Sequence, residues 1–300
     1  MRLAGRSMLG WVLLGLLCCC PLSADEQPEA ITSQTNELVF GMNPVIGVEA
    51  THERFTRLTK HLSTLLGVKV ILKVTHSYGE LIDEMAAGRI DLAKFSPLAY
   101  VRADRRIEGL NLIASHVANG SITYSSYLVA LQETPFSSLK DLKGSRICFA
   151  DLNSTSGYLY PLAFLLEYGI VPEEHFHSVT FAGSHKACLE GLFSGRFDLA
   201  ATFAGAIRDA RQSGLHVGEL IILAKTGRIP YDAYCVRGNL NPLLQKKIQK
   251  ALLEINTLSR EGRSVLGPTL GINGWVKGDD SVYDGIRHVE AQVKKSKCAE

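Results

Sequence analysis

Apolar residues recur along this chain at two spacings that take turns. Residues 37–42 read as a strand. Residues 51–66 read as a helix, with Phe55, Leu58, Leu62, Leu65 and Leu66 on one face, and Gly67 closes it. A strand at 68–74, a helix at 78–87, a strand at 90–95, a helix at 97–106 and strands at 110–116 and 127–131 follow. A second series runs strand 146–150, helix 157–168, strand 178–182, helix 185–193, strand 197–203, a helix near 206–212 and strand 219–224. Strands alternating with helices of about 10–15 residues predict βαβ units and mostly parallel sheets. Residues 242–261 read as one long amphipathic helix with Leu244, Ile248, Leu252 and Ile255 on its stripe. Short helices and a glycine-rich turn come after it, and the whole tail is expected to pack back on the first part of the chain.

One unit occurs twice. Ala87-Gly88-Arg89-Ile90-Asp91-Leu92-Ala93 ends a helix and opens a strand, and Ser194-Gly195-Arg196-Phe197-Asp198-Leu199-Ala200 does the same 107 residues later. Such glycine turns are common between helices and strands, but here the preceding helix and strand repeat as well. The pattern predicts two similar α/β lobes. The chain crosses between them near Tyr127 and near Ala233, giving lobe I as 36–126 plus 236–300 and lobe II as 127–235.

The start of the chain stands apart. Arg2 and Arg6 precede an apolar run from Met8 to Cys20, then Pro21 and Leu22-Ser23-Ala24. That is the layout of a secretory signal peptide, expected over residues 1–24. The run falls short of the roughly 20 apolar residues of a membrane span. The protein is therefore expected in the periplasm, with attachment through a lipid on Cys18, Cys19 or Cys20 as the alternative. Residues before those cysteines match a lipidation site poorly.

Charge narrows the partners. The 300 residues carry 32 Lys and Arg against 30 Asp and Glu, and removing 1–24 takes away Arg2 and Arg6 and no acid. With no basic block to neutralise a row of phosphates, nucleic acid is excluded as a partner. Four cysteines lie beyond the leader: Cys148, Cys188, Cys235 and Cys298. Export permits disulfides, three full pairings are open, and no bond is assigned. Cys148 and Cys235 on apolar strands fit small buried core residues.

In open α/β sheets ligands bind beyond the carboxyl ends of the strands. After strand 146–150 comes Asp151-Leu152-Asn153-Ser154-Thr155-Ser156-Gly157. One hydroxyl caps a helix, and three in a row exceed that need, which makes this helix start an anion-site candidate. After strand 178–182, Ser184 is the natural cap and His185 follows as a possible ring donor. Ser96-Pro97 caps the helix after strand 90–95, and capping accounts for it fully. Tyr78 opens a helix, and Tyr124 lies in the polar stretch before the crossing strand. Catalytic patterns are weak. His52-Glu53 lacks the second histidine of a zinc helix, and no P-loop, G-x-G-x-x-G or G-x-S-x-G occurs.

Asp151-Leu152-Asn153-Ser154-Thr155-Ser156-Gly157-Tyr158 resembles the signature of the phosphonate and phosphite substrate-binding proteins of ABC transporters. The similarity spans about residues 38–260 and includes Ser77-Tyr78, Gly88 to Ala93, Gly120-Ser121 with Tyr124, Ala182-Gly183-Ser184-His185 and Ile229-Pro230-Tyr231-Asp232. The resemblance implies an α/β fold of the type II, two-lobed periplasmic binding kind, closing on ligand in the cleft between its lobes. It implies that Ser154, Thr155 and Ser156 hold the phosphonate oxygens, that Tyr78, Tyr124 and His185 hydrogen-bond the same group, and that Asp232 meets the amine of aminoalkylphosphonates. A second acid of that amine pocket aligns with Gly205, a departure that counts against an aminoalkyl ligand. The stretch Ala201 to Gly205 is also more apolar than in the family, and Phe203 is placed to narrow the pocket or line it for another tail. Neutral donors and helix ends are able to hold a dianion without a buried Lys or Arg.

The expected function is capture of a phosphonate, phosphite or related phosphorus oxyanion and its delivery to an ABC permease in the inner membrane. No cofactor, metal or catalytic residue is expected. Ligand contacts are expected from Tyr78, Ser96, Tyr124, Ser154, Thr155, Ser156, His185 and Asp232. Two rival classes remain: a sensing module of the same fold that signals to a membrane histidine kinase or cyclase, and a hydrolase built on Ser154 or Ser156 with His185.

Overall fold

The computed structural model describes residues 37–136, 139–268 and 270–298. The expected signal segment 1–24, with Cys18, Cys19 and Cys20, lies outside them.

Two sheets organise the chain. The first is built from β1 (Glu37–Met42), β2 (Lys69–Val74), β3 (Leu92–Phe95), β4 (Asn111–Val117), β10 (Ala233–Val236) and β11 (Gly274–Lys277), in the order β11-β4-β10-β3-β1-β2. The second holds β5 (Thr123–Leu131), β6 (Arg146–Phe149), β7 (Ser178–Phe181), β8 (Leu199–Phe203) and β9 (Leu220–Pro230), in the order β7-β6-β8-β5-β9. Both are mixed. In each, four strands run the same way, and the strands that oppose them are β5, β10 and β11. The chain leaves the first sheet after Val117 and returns to it at Ala233, so the changeovers fall a few residues before the expected boundaries at 126/127 and 235/236.

Helices cover the sheets. They are α1 (Val48–Leu66), α2 (Tyr78–Ala86), α3 (Pro97–Arg106), α4 (Tyr160–Glu167), α5 (Pro172–His175), α6 (His185–Phe193), α7 (Ala204–Gln212), α8 (Pro242–Glu254), α9 (Arg260–Leu266) and α10 (Asp284–Cys298). The stripe on α1 works as predicted: Phe55, Leu58, Leu62 and Leu66 are buried against β1 and β2, while Leu65 is exposed. Its end is set by Gly67 at φ 70°, a left-handed position that suits glycine.

The tail corrects the sequence reading. The expected helix over 242–261 stops at Glu254, because Ile255 adopts an extended backbone and α9 starts afresh on a Ser259 cap. Gly262 explains the tight return. A Cβ there would sit 1.9 Å from the Asn256 carbonyl oxygen. Ile248, Leu252 and Ile255 still enter the core of the first lobe with Trp275 of β11. A second core cluster joins both lobes, combining Ala93 and Phe95 with Leu159, Leu162 and the C-terminal Tyr283 and Ile286.

A disulfide links Cys148 on β6 to Cys188 on α6. Cys148 is thus a bonded residue, not the simple core filler its apolar strand suggested. Cys235 is buried and free, and Cys298 is exposed and free.

Candidate functional site

Polar side chains gather where strands end. Asn43 follows β1, Ser96 follows β3, His116 lies near the end of β4, and Ser154 to Ser156 come shortly after β6. A cavity of about 110 Å³ lies among them, between the two sheets. All eight residues singled out from the sequence line it: Tyr78, Ser96, Tyr124, Ser154, Thr155, Ser156, His185 and Asp232.

The helix start after β6 has an unusual form. Thr155–Leu159 is one π-helical turn that runs into α4, where the sequence predicted plain helix from 157. Such turns leave the first N–H groups without intrahelical partners, which suits an anion. Ser154 caps the turn, accepting from the Gly157 N–H at 3.0 Å. Gly157 is required for closeness: a Cβ there would meet Ala150 at 2.5 Å and His185 at 2.9 Å. Thr155 Oγ1 accepts from the Leu98 N–H of α3 at 2.8 Å, across the cleft. The Ser126 hydroxyl donates to the Ser156 carbonyl at 2.6 Å, and Tyr124 Oη lies 3.4 Å from Ser156 Oγ.

Tyr78 and His185 hold matching places. Each is the first residue of a helix capped by a serine, Ser77 for α2 and Ser184 for α6. Each is buried, and they are 107 residues apart, the spacing of the repeated turn. His185 Nε2 lies 3.5 Å from Ser154 Oγ. Burial pushes the His185 imidazole down to about 4. Burial pushes Tyr78 well up, with the Asp151 and Asp232 carboxylates adding to it. It does the same to Tyr124, again with Asp232 adding. At neutral pH all three therefore offer uncharged donors.

Ser96 spends its hydroxyl elsewhere. It donates to the Asn153 carbonyl at 2.9 Å, across the cleft, and accepts from Ala99 N–H at 3.4 Å. It lines the cavity while holding the two lobes together. Arg102 bridges the same gap, donating to the Leu152 carbonyl at 2.9 Å and to Asn153 at 2.8 Å.

The cavity also contains residues that sequence reasoning missed. Lys94 is buried and forms an ion pair with Asp232, so the site does hold a buried cation. Its signal was available: it is the one charged residue in the apolar strand Leu92–Phe95. Asn43 follows a strand directly and obeys the rule that found the others. His116 is buried beside the Tyr231 ring, at 4.7 Å between centroids, and burial pushes it down to about 4. Arg54 of α1 pairs with Asp209 of α7 at 2.8 Å, joining the lobes at one edge of the cavity. Nothing local in the sequence marked that pair. Thr51 Oγ1 and His116 Nδ1, both buried at the cavity, have no hydrogen-bond partner among the described residues. Buried polar atoms without partners are rare and call for an explanation.

Phe203 closes one wall. Its ring lies 5.3 Å from Tyr124 and 5.0 Å from His185. A Cβ on Gly205 would meet that ring at 2.4 Å. The glycine and the phenylalanine therefore fit each other, and a side chain at 205 would require the ring to move. Among the described residues no group of three or more His, Cys, Asp or Glu is placed to hold a metal.

Two mixed α/β sheets, joined by two crossings, enclose a cleft lined by hydroxyls from both sides. That combination defines a two-lobed solute-binding protein. A family model for the periplasmic substrate-binding protein of phosphonate ABC transporters matches residues 40–283, and the chain belongs to that family. A phosphate-import protein of Mycolicibacterium smegmatis is 26% identical over 297 residues, covering 92% of each chain. The phosphonates-binding periplasmic protein of Escherichia coli is 26% identical over 233 residues, covering 76% of this chain and 67% of its own. The crystal structure of a binding-protein component of a Pseudomonas aeruginosa phosphonate ABC transporter superposes with a TM-score of 0.81 at 22% identity, over 88% of each chain.

Proposed function

We propose that this protein captures a small phosphorus oxyanion (a phosphonate, phosphite or phosphate) in the cleft and delivers it to an ABC permease in the inner membrane. The observation that carries this reading is the π-helical turn with its three buried hydroxyls, Ser154 to Ser156, faced by Tyr78, Tyr124 and His185. A tetrahedral anion needs several donors converging on one point, and neutral donors at a helix start supply them at little desolvation cost. Membership of the transporter family favours uptake over signalling. The lobes, taken as 36–126 with 236–300 and as 127–235, would open by a hinge at the two crossings. Residues 1–24 would direct export to the periplasm, where the protein acts either free or held by a lipid on Cys18, Cys19 or Cys20.

A hydrolytic role has less geometric support. Ser154 Oγ and His185 Nε2 stand 3.5 Å apart, longer than a tight nucleophile–base pair, and no carboxylate hydrogen-bonds the His185 ring among the described residues.

Thermal shift and calorimetry on the exported form test the proposal, with phosphate, phosphite, methylphosphonate, 2-aminoethylphosphonate and sulfate as probes. A ligand at 100 times its dissociation constant stabilises by about 2.7 kcal/mol. The expected result is a clear response to at least one phosphorus anion that disappears in Ser154→Ala with Thr155→Ala, while far-UV circular dichroism stays unchanged. No response to any phosphorus anion, or full affinity in the double variant, overturns the proposal. Incubation with phosphate and phosphonate esters, followed by mass spectrometry, tests the hydrolase, which esters left intact exclude.

A further inference from the structure

Two carboxylates line the cavity, Asp209 and Asp232, and each already carries a cation from the protein itself. Arg54 reaches Asp209 at 2.8 Å, and Lys94 reaches Asp232. We propose that Lys94 is a built-in ammonium that occupies the place a cationic ligand group would take at Asp232, so that the cleft selects phosphorus oxyanions without an amine. The inference rests on the phosphorus-oxyanion reading above and narrows it to a substrate class.

The lysine end of the ion pair is fixed by its strand. Lys94 sits in β3, where its backbone is paired to Met42 of β1 on one side and Tyr234 of β10 on the other. The lysine side chain keeps 8% of its surface exposed and the aspartate 14%. Its ammonium also stands 6.0 Å from the centre of the Phe55 ring. An ammonium held in this way is not displaced by a ligand amine without leaving one buried cation unpaired, which is costly.

The rest of the lining points the same way. Three cations, Arg54, Lys94 and Arg208, face two carboxylates, while both buried histidines, His116 and His185, are neutral. The excess is positive. A simple oxyanion meets favourable charge, whereas a ligand carrying its own ammonium brings a further positive group into that surplus. Position 205 offers no carboxylate to receive it, and the Phe203 ring lies against the glycine, 2.4 Å from where a Cβ would be.

Lys94 also protects the anion. Asp232 lies close enough to Tyr78, Tyr124 and His185 to act on all three. Unpaired, its charge would repel a dianion bound by those groups. Paired, it is offset.

Isothermal titration with methylphosphonate and 2-aminoethylphosphonate decides the matter, because the two probes share the phosphonate and differ in the amine-bearing tail. Wild type is expected to favour methylphosphonate by at least tenfold. Lys94→Met removes the internal ammonium and keeps most of the length of the side chain. It is expected to weaken methylphosphonate at least tenfold and to shift the ratio of the two affinities toward 2-aminoethylphosphonate by at least tenfold. Asp232→Asn provides a second reading should Lys94→Met not fold, since it frees the lysine and is expected to raise the preference for methylphosphonate. A wild-type preference for 2-aminoethylphosphonate, or a ratio unmoved in the folded variants, overturns the role of Lys94 and leaves the phosphorus-oxyanion function standing. Failure of wild type to bind either probe, phosphate or phosphite overturns both.

Discussion

The two sheets carry one framework twice, and set side by side they show where shared architecture stops and chemistry begins. In the first, Asp91 accepts from the Val39 N–H at 2.8 Å and pairs with Arg237. In the second, Asp198 accepts from the Arg146 N–H at 2.7 Å and pairs with Arg146 itself. Each carboxylate ties the start of its own strand to the neighbouring strand. At the 107-residue spacing Ser77 corresponds to Ser184 and Tyr78 to His185, so a capped helix start delivers one uncharged donor from each lobe. Beyond that the copies diverge. Lys94 corresponds to Ala201, and Ser96, which caps α3, corresponds to Phe203, which stands at the N-cap of α7 without a capping bond. The strand-and-turn frame is common to both lobes. The lining differs in charge and shape one and three residues past the repeated turn, at Lys94 against Ala201 and Ser96 against Phe203.

The disulfide marks a second divergence and gives the largest expected effect. Cys188 corresponds by the same spacing to Leu81, and Cys148 by strand register to Gly41, where a Cβ would meet the Leu81 side chain at 2.8 Å. The second lobe therefore bonds two side chains where the first presses leucine against a glycine. Cys148→Ala with Cys188→Ala removes the bond that sets the second lobe apart. Opening a link across 40 residues is expected to cost about 4 kcal/mol in urea unfolding, by the loop-closure estimate. A loss under about 1 kcal/mol would mean that packing alone holds β6 to α6.

The tyrosine and histidine at matching helix starts predict an asymmetric response to acid. His185 and His116 titrate far below the ordinary value of about 6.5 because burial disfavours their charged forms. The stability they contribute is complete above about pH 6.5 and is lost as pH falls toward 4, since the unfolded chain takes up the protons first. Each is expected to account for about 3 kcal/mol over that window. Tyr78 contributes nothing there. His185→Gln should reduce the slope of stability against pH between 6.5 and 4.5 by roughly half, followed by chemical denaturation in steps of pH. An unchanged slope would place the titration in other groups. Asp198 acts only in stronger acid. Its hydrogen-bonded Arg146 holds it below the usual carboxylate range, so its contribution survives to lower pH and is lost as pH falls through that lowered value.

The smallest effect tests the feature the lobes share most closely. Ser77 accepts from the Glu80 N–H at 3.0 Å and Ser184 from the Ala187 N–H at 3.1 Å. Ser77→Ala and Ser184→Ala are each expected to cost about 1 kcal/mol. Equal losses would confirm that the caps are interchangeable. A larger loss at Ser184 would show that α6 is supported less well by the rest of its lobe.

Much of this was legible in the chain because the signals are local. Strand and helix periods, serine caps and the glycine turn are decided within a few residues, and most element limits agree with the pattern to within three positions. The rule of looking past strand ends gathered eight residues that line one cavity. The same rule applied to β1 reaches Asn43. Where the reading failed, the cause lay at longer range. The break after Glu254 is imposed by Gly262 packing on Asn256, and the π turn at Thr155 is held by Gly157 against Ala150 and His185. Strands β10 and β11 are no shorter than β3, β6 and β7, but they run against the parallel strands and stand outside the strand–helix alternation that announced the others.

By itself the sequence determined the succession of elements, the duplication of the lobe and the helix start with three hydroxyls, because each depends on periodicity, capping or glycine conformation within a short window. Only the tertiary structure decided the partners: Lys94 with Asp232 across 138 residues, Arg54 with Asp209, Cys148 with Cys188, and the ring of Phe203 over Gly205. Composition carries no record of such pairings. They form because folding brings distant charges, thiols and surfaces to within a few ångströms in a space where water is scarce and an unpaired charge is costly.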